Sequence, residues 1–375
     1  MSLECLPLNS SNKRKILLNK EKLEKNIDEL ESFLSLTKFG VDNSLSNKFL
    51  LSQEVKSNNG IEGYNDDMFL IYNVLYNHVD LSDKEKMQRI KNLYRGYEYI
   101  LNKPAINKEN LKKLYQLLSY NLLLDEDIEN MGNYYRKKPV YIYYSKYVEK
   151  EPDRGIDEKY VERYMNELLE YINSDNKFDL STYYFIKSQI IHFQFVNIHP
   201  YFDINGRTSR TVSMWYLSNN NKNPFLIFNR AISLNKEKYY KIIKEARDFS
   251  NVTFFINYML ESVRTELEKE YIIDMINKST GILSFVDYQT LYYILSMNSN
   301  LTAKDFMTFY NRYNDKKRCN DIYLTMLEPL LEKNVIVKVR NTNTYINDNE
   351  KNFIFKLNNN YFERDPQKIK KLDIF

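Results

Sequence analysis

Cysteine is nearly absent from this chain of 375 residues. The 2 present, Cys5 and Cys319, lie far apart and form no metal or redox motif, so a reducing cytoplasm is the simplest setting. No apolar run approaches the ~20 residues of a membrane span, and the N-terminal residues lack the apolar stretch of a signal peptide. No membrane partner is therefore expected. An excess of one charge is missing as well. Lys+Arg 54 against Asp+Glu 50 leaves +4, too balanced to attract nucleic acid by charge alone. The P-loop pattern G-x-x-x-x-G-K-S/T does not occur. Glycine numbers only 8, which makes the place of each one informative. What the chain does have is apolar bulk: 43% hydrophobic and 15% aromatic residues, ample for packed cores. Its length suggests two or three domains.

The chemistry concentrates in Ile198-His199-Pro200-Tyr201-Phe202-Asp203-Ile204-Asn205-Gly206-Arg207-Thr208-Ser209-Arg210. Upstream, Ile186, Ile190 and Phe193 repeat at helical spacing, and Pro200 disfavours helical geometry at His199. One helix should end there, leaving the imidazole at its mouth. A second stripe begins with Val212, Trp215 and Tyr216. A helix N-terminus offers free amides and the positive end of a dipole, and Arg207 and Arg210 add donors suited to phosphate oxygens. Asp203 is a hard oxygen ligand fit for Mg²⁺ that also binds substrate phosphates. His199 is the only loop group able to accept a proton near neutral pH. Singly, each has an ordinary explanation as a helix stop or a solvated charge. Together within a dozen positions they point to chemistry on a nucleotide polyphosphate.

The stretch resembles the signature of the Fic (Fic/Doc) family, H-P-F-x-D/E-G-N-G-R-x-x-R. His199, Pro200, Asp203, Asn205, Gly206, Arg207 and Arg210 match, and Tyr201 replaces Phe. Ile204 stands where the family has Gly. If that Gly serves a left-handed backbone, Ile204 imposes strain and slows the site, and Ile204→Gly should speed transfer. If it serves only lack of bulk, Ile204 crowds the phosphates.

The resemblance implies a mainly α protein: a Fic-fold helical core with a short β-hairpin flap. Residues 1–105 read as an N-terminal helical region, with Leu23, Ile27, Leu30 and Phe33 marking one helix and Met87, Ile90, Leu93 and Tyr94 another. Between them Leu51, Val55, Asn58 and Glu62 share a helix face, and Gly60 and Gly63 suggest a helix end approaching another backbone. By itself this reads as a helix cap with a nearby carboxylate. Asn58 to Gly63 also resembles the family's inhibitory motif S/T-x-x-x-E-G/N, which implies that Glu62 pairs with Arg210 and blocks the γ-phosphate site.

Residues 106–265 form the expected catalytic core. Asn107 can cap a helix, and Met131 to Arg136 leads into a strand-like run from Val140 to Tyr143 that is similar to the family's flap, which holds the target polypeptide. His192 reads as structural. Asn235 is an acceptable helix cap, and the resemblance implies a place near the adenine ring. From 270 to 375, helices followed by a hairpin (Val335 to Val339, a turn at Asn341–Asn343, then Phe353 to Phe355) read as a winged-helix-like α+β domain. Lys316, Lys317 and Arg318 precede its recognition helix, Asp321 to Glu332, which has few basic residues to read bases.

The resemblance thus implies an autoinhibited protein adenylyltransferase. AMP passes from Mg-ATP to a Ser, Thr or Tyr hydroxyl of a target protein, or of the enzyme itself. His199 is the base, Asp203 holds Mg²⁺, Asn205, Gly206 and Arg207 bind phosphate, and Arg210 takes the γ-phosphate once Glu62 is displaced. Transfer of UMP, phosphocholine or phosphate is the alternative within the family. A nucleotide-sensing regulator that binds DNA through its C-terminal domain is the alternative from another class. Target, modified residue, removal of AMP, and the choice between monomer and homodimer stay open.

Overall fold

The computed structural model describes residues 3–36, 45–143, 152–174, 180–220, 227–280, 284–297, 301–313, 316–340 and 353–358. The chain opens with β1 (Leu3–Asn9) and β2 (Lys15–Asn19), an antiparallel hairpin. This corrects the all-helical reading of the first residues. Leu6, Leu8, Ile16 and Leu18 are buried while Pro7 is exposed, an alternation of period two that suits a strand packed on one face. The Leu17 amide donates to the Ser250 carbonyl, and the Val252 amide to that of Leu17, which docks the hairpin on the core.

Next come α1 (Glu24–Leu36), α2 (Leu45–Ile61), α3 (Met68–Tyr76), α4 (Lys84–Leu101), α5 (Lys108–Ser119) and α6 (Asp125–Glu129). Helix α5 is capped by Asn107, as expected. The short strands β3 (Tyr141–Ile142) and β4 (Asp153–Arg154) pair antiparallel. After α7 (Glu158–Asn173) the centre of the molecule is built by α8 (Ser181–Ile198) and α9 (Asn205–Asn220), which pack on each other. Helices α1, α7 and the later α12 cover α8, while α2, α4 and α5 cover α9. The stripe read from Ile186, Ile190 and Phe193 is only part of what is hidden: α8 is buried on nearly every side from Phe185 to Phe195.

Helices α10 (Phe228–Ser233), α11 (Lys236–Phe249) and α12 (Thr253–Thr280) complete the core. With no Gly or Pro between its ends, α12 runs through residues 265–270 without a break. The C-terminal region continues with α13 (Phe285–Met297), β5 (Leu301–Thr302), α14 (Ala303–Tyr313), α15 (Cys319–Ile322) and α16 (Glu328–Glu332). It ends in β6 (Ile336–Arg340) and β7 (Phe353–Leu357), and its sheet has the order β5-β7-β6 with antiparallel neighbours. The turn expected at Asn341–Asn343 lies outside the described residues. A π-helical segment, Tyr323–Leu327, joins α15 to α16 just ahead of Pro329, which has no amide to continue the α-helical ladder.

Helix α2 packs against α3, α4, α9, α10 and α13, so it lies between the central helices and the C-terminal region. Residues Ser52 to Asn59 are all buried although most are polar. Each such group needs a partner to offset its lost hydration. Glu54 accepts hydrogen bonds from the Asn229 amide (2.8 Å), the Asn229 side chain (2.9 Å) and the Arg230 amide (2.9 Å), capping α10.

Candidate active site

His199 closes α8 in a left-handed conformation, φ 53° and ψ 62°, directly before Pro200. Its Nδ1–H donates to the Val196 carbonyl at 3.2 Å, leaving Nε2 as the free acceptor. Burial pushes the imidazole down to about 4, helped by the Arg136 and Arg247 guanidiniums and opposed by the Val196 carbonyl and Glu62. The ring is half-buried, so solvent weakens the push, but its direction keeps the ring neutral and able to take a proton at pH 7. Arg136, which sequence reasoning placed only in the flap segment, holds this turn. Its Nε donates to the His199 carbonyl at 2.7 Å, its amide to Pro200 at 2.9 Å, and its Nη2 to Ile156 at 2.5 Å. Its Nη1 donates to the Lys138 carbonyl at 2.8 Å, so one buried guanidinium ties the His199 turn to the segments before β3 and after β4.

The loop then turns through Ile204, which takes φ 63° while its side chain is only 3% exposed. The first of the two alternatives for this position is the one found: a left-handed backbone carrying a β-branched residue. The loop has nevertheless kept its shape. Asn205 Oδ1 accepts from the Tyr201 amide at 2.9 Å and Nδ2 donates to the Tyr201 carbonyl at 2.8 Å. The Asn205 side chain therefore staples the loop to itself and is not directed at a ligand. Thr208 N donates to the Ile204 carbonyl at 2.9 Å as the first bond of α9. Ahead of it, the amides of Asn205, Gly206 and Arg207 make no hydrogen bond among the described residues. Arg207 is 6% exposed, yet its Nε and Nη1 have no partner there either. A cluster of unsatisfied donors at a helix N-terminus is what a phosphate group would satisfy.

Asp203 is exposed beside this cluster and its Oδ1 accepts from the Ile204 amide at 2.6 Å. Among the described residues no three His, Cys, Asp or Glu side chains converge on one point. A single carboxylate next to phosphate donors suits Mg²⁺, which takes much of its coordination from substrate oxygens and water, and not a metal caged by protein alone.

An anion from the protein itself already sits at the cluster. A Cβ on Gly206 would lie 2.5 Å from Glu62 Oε1, so only glycine lets the carboxylate come this close. Glu62 Oε1 accepts from Arg210 Nη2 at 2.5 Å, and Arg210 is 1% exposed. Asn58 Oδ1 receives both Arg210 Nε (2.9 Å) and Nη2 (2.7 Å), fixing the plane of the guanidinium. Burial raises the Glu62 carboxyl, but Arg210 and Arg207 outweigh it and hold it below its ordinary range.

The backbone places Glu62 with equal care. Gly63 N donates to the Gly60 carbonyl at 3.1 Å and Tyr64 N to that of Asn59 at 3.1 Å, a Schellman ending in which Glu62 is the C-cap. Gly63 takes φ +98°, the reason glycine is needed there. The close backbone approach expected at Gly60 and Gly63 is absent, since nothing lies within 4 Å of a Cβ at either. Lys236 Nζ (3.0 Å) and Tyr240 Oη (3.1 Å) donate to the Gly60 and Ile61 carbonyls, pinning the end of α2 to α11.

Asn235 caps α11 through its Oδ1 to the Lys238 amide at 3.3 Å. His192 is buried and bonds the Tyr239 hydroxyl at 2.8 Å. Arg136, Glu54 and Lys236 were missed as site residues because each acts on backbone groups, and nothing in their spacing shows that.

Residues 105–217 match the model of the Fic/DOC family. Among solved structures the chain is similar to a Fic family protein from Desulfovibrio desulfuricans G20, with TM-score 0.57 and 17% identity over 90% of this chain and 95% of that one. It is also similar to a Fic domain containing signaling protein from Bacteroides thetaiotaomicron VPI-5482, with TM-score 0.50 and 17% identity over 66% of this chain and 95% of that one. At such identities the two structures speak for the fold. The matched segment holds His199, Asp203, the free amides of α9, Arg207 and Arg210, so the chain carries a Fic/DOC domain, and proteins with that domain generally transfer AMP or other phosphate-containing groups onto proteins.

Proposed function

We propose that the protein transfers AMP from Mg-ATP to a hydroxyl side chain of a target protein, and that Glu62 holds it inactive. The observation carrying this reading is the buried Arg207 guanidinium, whose Nε and Nη1 have no hydrogen-bond partner among the described residues, beside an arginine whose anion is supplied by Glu62. Such a pair is complete only when a polyanion arrives. In the reaction, His199 Nε2 accepts the proton of the target hydroxyl as its oxygen attacks the α-phosphorus. The bond from that phosphorus to the bridging oxygen breaks, and pyrophosphate leaves. The α9 amides and Arg207 stabilise the charge on the phosphate oxygens. Mg²⁺ held by Asp203 would add neutralising charge there. Arg210 binds the γ-phosphate after Glu62 swings out. Because α2 is a core helix, that release is a side-chain rotation at its C-cap and not a departure of the helix.

The C-terminal region is read as a winged-helix-like module for protein contact. Its helix from Cys319 to Glu332 exposes Asn320, Asp321, Leu324, Thr325 and Glu332, a face with two carboxylates and no basic group, poorly suited to DNA, with Lys316, Lys317 and Arg318 only at its start. The test is incubation with labelled ATP, wild type against Glu62→Gly, read by intact mass and on a lysate gel. The variant should label itself or a target well above wild type. UTP and CDP-choline in parallel identify the transferred group. A folded Glu62→Gly protein that transfers nothing from any of the three, while binding a DNA operator, would put the protein in the regulator class.

A further inference from the structure

The contact between Asn58 and Arg210 has a direction. A guanidinium only donates, so the Asn58 atom that meets Arg210 Nε and Nη2 is Oδ1. The amide nitrogen then faces away, and it donates to the Tyr97 hydroxyl at 2.9 Å. That hydroxyl, carried by α4, receives a second donor, Asn229 Nδ2 of α10, at 3.1 Å. Asn229 is fixed in turn, because the same Nδ2 donates to Glu54 Oε2 of α2 at 2.9 Å. A polar chain therefore runs from Glu54 through Asn229, Tyr97 and Asn58 to Arg210, joining α2, α10, α4 and α9. Glu54, Asn58, Tyr97 and Asn229 are fully buried, and Arg210 is nearly so.

We propose that Tyr97 is a positioning residue for Arg210. By accepting from the Asn58 amide, its hydroxyl keeps Asn58 Oδ1 turned to the guanidinium, and Arg210 is held ready for Glu62 or for the γ-phosphate that replaces it. The second half of this rests on the γ-phosphate reading of Arg210 given above. Fully buried among helices, Tyr97 reaches no ligand itself and acts only through Asn58. The need for it follows from the residue at 58. A serine or threonine hydroxyl, the motif's usual group there, can accept from Arg210 in any rotation. An amide offers an acceptor at one end only, and its other end must be satisfied elsewhere. Without the Tyr97 oxygen, Asn58 Nδ2 would be a buried donor lacking an acceptor, and the side chain would turn from Arg210 to find one. Arg210 would then have to be ordered by the ligand at the moment of binding.

The test compares Glu62→Gly with Glu62→Gly/Tyr97→Phe in calorimetric binding of Mg-ATP and Mg-ADP. Phenylalanine keeps the ring and removes only the hydroxyl. The dissociation constant for Mg-ATP should rise roughly tenfold, the scale of one hydrogen bond involving a charged group. That for Mg-ADP, which has no γ-phosphate, should stay within twofold. Asn58→Ala on the same background should cost Mg-ATP a similar factor, and adding Tyr97→Phe to it should cost no more. That last comparison also serves if Tyr97→Phe alone fails to fold, since no amide is then orphaned at 58; a further loss there would overturn the inference. An unchanged constant for Mg-ATP in Tyr97→Phe would overturn it too, and an equal rise for both nucleotides would leave Tyr97 a merely structural role. A reading free of nucleotide comes from urea denaturation. The shift in midpoint caused by Glu62→Gly should be smaller in the Tyr97→Phe protein than in wild type, and equal shifts would refute the hold on Arg210. A Glu62→Gly parent that binds Mg-ATP no more tightly than Mg-ADP would overturn the γ-phosphate reading alone, with the urea comparison still deciding the role of Tyr97.

Discussion

Ile204 combines two features that oppose each other, a left-handed backbone and a side chain locked in the core. Left-handed geometry costs a residue bearing a Cβ about 1–2 kcal/mol, while truncating a buried isoleucine to alanine costs about 2–5 kcal/mol. Ile204→Ala loses the packing and keeps most of the strain. Ile204→Gly loses one further methyl, about 0.8 kcal/mol, but relieves the strain entirely. Both variants should fall below wild type, with glycine above alanine by a few tenths to about 1 kcal/mol. Elsewhere in a chain glycine is worse than alanine by about 0.5–1 kcal/mol, so the order of the two is diagnostic. Urea denaturation of the three proteins in parallel resolves differences of this size. Alanine equal to or above glycine would refute the strain argument. The same structure alters the kinetic expectation drawn from the sequence. A faster Ile204→Gly enzyme required a loop relaxed away from its working shape, yet the Tyr201–Asn205 bonds are intact and φ is already that of glycine. At saturating Mg-ATP on the Glu62→Gly background, the rate should stay within about threefold.

Four further outcomes are expected. His199→Ala should abolish transfer while Mg-ATP binding survives, and labelling at the parent rate would remove the imidazole from the mechanism. Since the folded ring is held down at about 4 and the unfolded one titrates near 6.5, its stabilising contribution is lost as pH falls through that window, and transfer should decline only towards the lower value; a rate midpoint near 6.5 would contradict this. Burial raises the Glu54 carboxyl to about 7 against the opposing amides of Asn229 and Arg230, so its contribution is full below 4.5 and lost as pH rises through about 7. Glu54→Gln should flatten the fall of melting temperature across that window, and parallel slopes for mutant and wild type would show that the carboxyl is not what titrates. The Glu62 carboxyl, held below its ordinary range, keeps its contact with Arg210 until pH drops through its lowered pKa, so self-labelling should not rise between about pH 8 and 6.

The sequence alone determined the ends of α8 and α9 and the inventory of groups between them. Those features are local: Pro200 acts on its neighbour, helical stripes repeat within a few residues, and the Fic signature spans a dozen positions. The helices read from Leu23 to Phe33 and from Met87 to Tyr94 were legible for the same reason. The first strands were not, because a short alternating run reads as strand only when a surface exists for one face to cover, and that surface comes from α7 and α12, far along the chain. Tertiary structure also decided what each site residue does. Asn205 had the chemistry to bind phosphate, yet its amide closes the loop on Tyr201; Arg136 became the clamp on the His199 carbonyl. Glu62 meets Arg210 across 148 positions because the Schellman turn at Gly63, the bonds from Lys236 and Tyr240, and the absence of a Cβ on Gly206 all fix one carboxylate in one place. Such contacts arise from backbone donors, acceptors and free space, which nearly every residue type shares, so their partners emerge only when the chain has packed.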